Sequence, residues 1–230
     1  MPWTDPRFET PSAREPVFNA PILAVLVGAS MPVLFFFQQR LPDGGAVWAF
    51  SPADLAEGRF GGLFTSMLLH GGWTHALMNA VGAVVFGAPV ARVLSGARGV
   101  LAVFALYIGA GVLSALGYGL VHWGSTATLV GASGAVFGLI GAAMRLMGGK
   151  GRVLSLTDPR LIQISLAWMA VNLVTGLIGL APGVTGARIA WEAHAFGYLV
   201  GVLAIGPLAR WFGNTNPAFD SKARLGDPAD

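Results

Sequence analysis

Long runs without a charged residue constrain this chain more than any other feature, because a bilayer core needs roughly 20 apolar residues per crossing helix. Four charge-free runs occupy residues 16–39, 60–91, 99–144 and 161–181, and a fifth stretch, 189–212, carries Glu192 near its start. The third run is too long for one crossing and divides at residues 122–128 into spans of about 99–121 and 130–146. The second is expected to hold a loop and then a span starting near His75. Of the 230 residues, 54% are hydrophobic and 11% charged, far from a soluble average. The expectation is therefore an all-α membrane protein with six transmembrane helices.

The 33 glycines suit packed membrane helices, where small residues let backbones approach. The net charge of +3 is carried by dispersed basic residues without aromatic-basic clusters, which argues against a nucleic-acid face. Cysteine is absent, excluding disulfides, thiolate catalysis and cysteine-held metal. No apolar run precedes Val17, so the first span is expected to stay rather than be cleaved as a signal peptide. Only Arg40, Arg59 and Arg188 of the fourteen Lys and Arg residues fall on one side of the expected spans, which places both termini in the cytoplasm. The expected division is a cytoplasmic segment at 1–16, a membrane domain at 17–212 and a polar cytoplasmic tail at 213–230.

Between the first two spans, Ser51-Pro52-Ala53-Asp54 reads as an N-cap, a proline at the first helical position and an acid in the first turn. A short helix should follow. Trp48, Phe50, Phe60 and Phe64 suggest that this long loop lies at the outer membrane interface. No internal repeat of the kind that builds two-halved transporters is evident.

Polar groups at membrane depth are costly, so chemistry is sought there. His75 and Asn79 lie one turn apart on one face at the outer start of the second span. Ser133 lies between Gly131 and Gly134 at the start of the fourth, and His194 lies early in the sixth. Spans two, four and six all begin on the outer side, so these groups share one layer. Each has a plainer reading. Ser133, Gly134, Gly138 and Gly141 could form a small-residue packing face, His75 and Asn79 could bridge helices, and His70 could anchor at the headgroups.

Packing alone does not require a nucleophile, a base and hydrogen-bond donors at one depth. A serine hydroxyl needs a base, and His194 can supply one. The oxyanion formed by attack on an amide needs donors, which the Asn79 amide, the His75 imidazole and the Ser133 backbone N–H can provide. Gly197 and Gly201 lie on the face of His194 and would let span six approach span four. Glu192 is on another face and no aspartate lies in a span, so the expectation is a dyad, with Phe137 stacking on the imidazole in place of a carboxylate.

At these residues the chain resembles the rhomboid family of intramembrane serine proteases. The likeness rests on the His70-Gly71-Gly72-Trp73-x-His75-x-x-x-Asn79 run, the Gly131-x-Ser133-Gly134 motif and the Ala193-His194-x-x-Gly197-x-x-x-Gly201 motif, in that order on spans two, four and six. The resemblance implies a six-helix bundle with a long interfacial first loop. It also implies Ser133 as nucleophile, His194 as general base, and His75, Asn79 and the Ser133 amide as the oxyanion hole, with Gly131 and Gly134 shaping the site. It implies cleavage near the outer end of transmembrane segments of other proteins, with a small residue before the cut, in a cell membrane and with neither metal nor cofactor. The chain departs from the family in carrying Gly61-Gly62 where many relatives have a Trp-Arg pair in the first loop.

Two readings of other classes compete. A proteolytically inactive relative would bind membrane clients without cutting them, although such proteins usually lack the nucleophile or base. A solute channel would spread polar residues through the bilayer depth, whereas these cluster at one end.

Overall fold

The computed structural model describes residues 20–147, 152–179 and 189–213. The expected cytoplasmic segment at 1–16 and all of the 213–230 tail beyond Gly213 lie outside the described residues, as do Lys150 and Arg188. Helix α1 is Ile22–Gln38, followed by the short α2 (Pro52–Ala56) and α3 (Gly62–Thr65). Helices α4 (Trp73–Val93), α5 (Gly96–Val121), α6 (Ser133–Arg145), α7 (Pro159–Ile178) and α8 (Trp191–Phe212) complete the order. Among the described residues, α4, α5, α7 and α8 are long and apolar enough to cross a membrane. Helices α1 and α6 are apolar but shorter.

Sequence chemistry accounts for the helix limits. The Asp158 side chain accepts the Arg160 backbone N–H at 2.9 Å, and Pro159 starts α7 where a missing N–H costs nothing. Gly179, at φ +71°, closes that helix in the left-handed conformation. At α2 the Asp54 carboxylate takes the Ser51 backbone N–H at 2.9 Å, one arm of a capping box, so the helix expected after Ser51 is present. Pro207 lies inside α8 and cannot donate to the Leu203 carbonyl. The Arg145 guanidinium reaches into that gap, with Nη1 2.7 Å from the Val202 oxygen and 3.4 Å from that of Leu203.

Helix α6 forms the centre, packed by α4, α5 and α8. Gly134, Ala135, Val136, Gly138 and the residues from Leu139 to Met144 are all buried. At 13 residues it spans only about 20 Å, less than a bilayer core. The segment leading to it is irregular, which at membrane depth requires satisfaction by protein. That satisfaction is present: Phe50 and Leu129 exchange backbone bonds at 3.1 and 2.7 Å, and Gly131 N–H donates to the Ser66 carbonyl at 2.9 Å. Helix α6 begins at Ser133, three residues after the boundary expected from the charge-free run, because Gly131 at φ +122° ends the extended approach.

One expectation about the first loop is corrected, and one of the plainer readings falls. Phe50, read as an interfacial aromatic, is fully buried under α5, where a Cβ at Gly119 would meet its ring at 2.7 Å. His70 is 1% exposed, so it is no headgroup anchor; the Gln38 side chain binds both its backbone N–H (2.8 Å) and its carbonyl (3.0 Å). Trp48, Phe60 and Phe64 remain exposed. Gly62 has a structural role of its own, since a Cβ there would lie 2.9 Å from the Ala49 oxygen and the Phe50 Cα.

Helix α7 is peripheral. Only 11% of its most apolar stretch is buried in the protein, against 44% for α5. It is held by Ser165 to the Tyr198 hydroxyl at 2.8 Å and by Trp168, edge-on to Phe86 and Phe137.

Candidate active site

The N-terminus of α6 meets the first turns of α8 because both helices lack side chains where they cross. A Cβ on Gly197 would fall onto the Gly134 carbonyl, and one on Gly201 onto that of Gly138. The helices therefore approach backbone to backbone, and residues one turn away come within reach of each other.

Ser133 Oγ lies 2.8 Å from His194 Nε2. The Phe137 ring, one turn further along α6, stacks on the imidazole with centroids 4.2 Å apart and planes 7° from parallel. Ser133 is the first residue of α6, so its N–H belongs to the amides that lack an intrahelical acceptor. Gly134 cannot carry a side chain here, because a Cβ would collide with Ser114 Oγ, which itself donates to the Ala193 carbonyl at 2.6 Å.

On α4, the His75 ring packs against Gly131: a Cβ there would lie 2.7 Å from Cε1 and 2.8 Å from Nε2. His75 Nδ1 accepts the Gly71 backbone N–H at 3.2 Å, so in the neutral ring the proton is on Nε2, the nitrogen beside Gly131. Asn79 is buried and gives one amide hydrogen to the His75 carbonyl at 3.0 Å, leaving its second. His70 stacks edge-on to His75 at 5.3 Å and backs that ring from the loop.

Ser133, His194 and Phe137 are thus joined in one contact group, with Gly134, Gly197 and Gly201 at the helix crossing that makes it possible. His75 and Gly131 form a second group, adjoining the first through the Gly131-to-Ser133 turn. Asn79 touches its own helix, one turn from His75. Glu192 pairs with His122 at 3.2 Å, away from His194. Among the described residues no cluster of His, Asp and Glu is suited to a metal.

Three further polar residues were not anticipated. Asn172 of α7 lies with Oδ1 2.9 Å from His194 Nδ1 and Nδ2 2.8 Å from the Trp191 carbonyl oxygen. Ser114 and Gln38 make the contacts given above. Asn172 carries a signal in the sequence, an amide in the middle of an apolar run, where polar residues mark function, but as a neutral group it falls outside the carboxylates that usually orient such a histidine.

A Rhomboid domain family model matches residues 57–211, two thirds of the chain, a range that includes His70, His75, Asn79, Ser133, Asn172 and His194. The chain belongs to the rhomboid family. It is also similar to the Bacillus subtilis (strain 168) protein named "Putative rhomboid protease YdcA", with 29% identity over 143 residues. That alignment covers 56% of this chain and 66% of the relative, a little under two thirds of its length. This rhomboid is accordingly a helical membrane protein, and α1 precedes the matched region.

Proposed function

We propose that this rhomboid is an intramembrane serine endopeptidase that hydrolyses peptide bonds in or near transmembrane segments of other membrane proteins. The observation that carries the reading is the 2.8 Å contact between Ser133 Oγ and His194 Nε2 at the start of a buried helix too short to span a bilayer. In the acylation step, Ser133 Oγ bonds to the scissile carbonyl carbon while its proton passes to His194 Nε2. The carbonyl oxygen becomes an oxyanion, which the Ser133 N–H, the Asn79 amide and the His75 imidazole stabilise. Collapse breaks the C–N bond, and the imidazolium gives its proton to the leaving amine. Water, deprotonated by the same imidazole, then hydrolyses the acyl-enzyme and restores Ser133.

The reading includes six crossings, with α1 and α6 as the two shorter helices, α6 completing its crossing through the irregular segment that leads to Ser133, and with the membrane domain taken as 17–212. Both termini are cytoplasmic and the site opens to the outer side of the cell membrane. Substrates are transmembrane proteins in the bilayer, and no cofactor takes part.

The test is incubation of the purified protein with a panel of single-span membrane proteins. Cleavage of at least one by the wild type, with Ser133→Ala and His194→Ala inactive, is the expected result. Undiminished cleavage by Ser133→Ala would remove the mechanism. Labelling of Ser133 by a fluorophosphonate separates this reading from an inactive client-binding relative.

A further inference from the structure

A histidine that accepts a serine proton at Nε2 must carry its own proton on Nδ1, and something must keep it there. The contacts around Asn172 fix that assignment. The Trp191 carbonyl oxygen only accepts, so the group 2.8 Å from it is the Asn172 NH2, and Oδ1 is turned the other way. Oδ1 also only accepts, so His194 Nδ1, 2.9 Å away, donates. The lone pair of the neutral ring then falls on Nε2, which faces the Ser133 hydroxyl at 2.8 Å. The opposite tautomer sets two lone pairs against each other, and flipping the amide sets carbonyl against carbonyl at Trp191. Asn172 is 3% exposed, so neither mismatch is relieved by water.

We propose that Asn172 is a positioning residue for His194, so that the dyad expected from the sequence works within a hydrogen-bonded Ser133–His194–Asn172 chain whose third member comes from the peripheral helix α7 and takes no proton. The inference rests on the serine-peptidase reading and deepens it. A neutral amide orients the ring without introducing a charge into an apolar interior, where an unpaired carboxylate would be costly. Phe137 fixes the plane of the imidazole by stacking, and Asn172 fixes its rotation within that plane and its tautomer. Since α7 is the least buried of the four longest apolar helices, correct orientation of the base depends on α7 being docked.

Two substitutions separate orientation of the ring from helix docking. Asn172→Leu removes acceptor and donor at similar volume. Asn172→Asp keeps an acceptor toward Nδ1 but loses the donor to Trp191. The rate of fluorophosphonate labelling of Ser133 is measured for both in detergent, with kcat and KM for a cleaved single-span substrate. Asn172→Leu is expected to label and turn over roughly 10- to 100-fold more slowly, with KM within about twofold of wild type. Asn172→Asp is expected to recover to within about fivefold of wild type. Wild-type labelling by Asn172→Leu, or an Asp variant as slow as the Leu variant, would overturn the proposal. If Asn172→Leu fails to fold, 15N NMR of histidine-labelled wild type decides: the Nδ1–H tautomer at His194 supports the positioning role and the Nε2–H tautomer refutes it. A wild type that neither labels nor cleaves would instead sink the peptidase reading, and the NMR result would still test the tautomer.

Discussion

Gly131 turns the chain at φ +122° while the His75 ring lies against its α-carbon, so any side chain there would be both strained and obstructed. One residue thereby ends the extended approach to α6 and leaves room for the α4 imidazole two residues before Ser133. His70 supports the same ring from behind. Its imidazole is buried, with neither nitrogen hydrogen-bonded among the described residues. Burial first, and then the neighbouring His75, push its pKa down from the ordinary 6.5 to about 4. The unfolded chain binds that proton more readily than the folded one. The His70 contribution to stability is therefore fully present above about pH 6.5 and is lost as the pH falls toward 4. Thermal unfolding in detergent at pH 7 and pH 5 should show a larger drop for the wild type than for His70→Leu, which has nothing to protonate at that position. Equal drops would show that His70 does not titrate in the folded loop.

Among the elements, α6 and α8 show how a partly buried polar end-group compensates for a sequence break. Pro207 leaves the Leu203 carbonyl without its helical donor, and Arg145, the last residue of α6, brings its guanidinium there while Nε holds the Leu154 carbonyl at 2.9 Å. Arg145→Met should keep most of the packing but strand these carbonyls. A charge-assisted bond of this kind contributes about 1.5 to 3 kcal/mol, so a fall in melting temperature of roughly 5 °C is expected. An unchanged melting curve would mean that the proline gap is filled in another way. The order of long helices and the motifs on α4, α6 and α8 were legible in the sequence because charge-free length and one-turn spacing are local properties. Burial of Phe50 was not, since it depends on Gly119 of α5 offering a hole far along the chain. The link from Asn172 to His194 was hidden for the same reason: 22 residues and a helix boundary separate them, and only the packing of α7 against α8 closes the distance.

For the whole molecule, the distribution of small and large side chains separates inside from outside. Glycine and alanine concentrate at the α6 crossings, while Ile22, Leu26, Leu101, Leu166, Leu177 and Trp211 face outward, as a lipid-facing surface requires. That surface says nothing about which way up the bundle sits, and the proposed chemistry depends on it, because in that reading water reaches Ser133 from one side only. The distribution of Lys and Arg supports the proposed orientation, in which the connection before α4 and the loop after α5 are outside and the α4-to-α5 turn is inside. A chain without native cysteine is a ready background for testing this. Single substitutions Glu57→Cys and Trp123→Cys occupy exposed positions in the first two segments, and Arg98→Cys an exposed position in the first turn of α5, next to the third. In intact cells a membrane-impermeant maleimide should label the first two and spare the third until the membrane is permeabilised. Labelling of Arg98→Cys in intact cells, with the other two protected, would invert the bundle and turn Ser133 toward the cytoplasm. Labelling of positions 57 and 98 from the same side would mean that α4 does not cross at all, and the shared depth of His75, Ser133 and His194 would lose its basis.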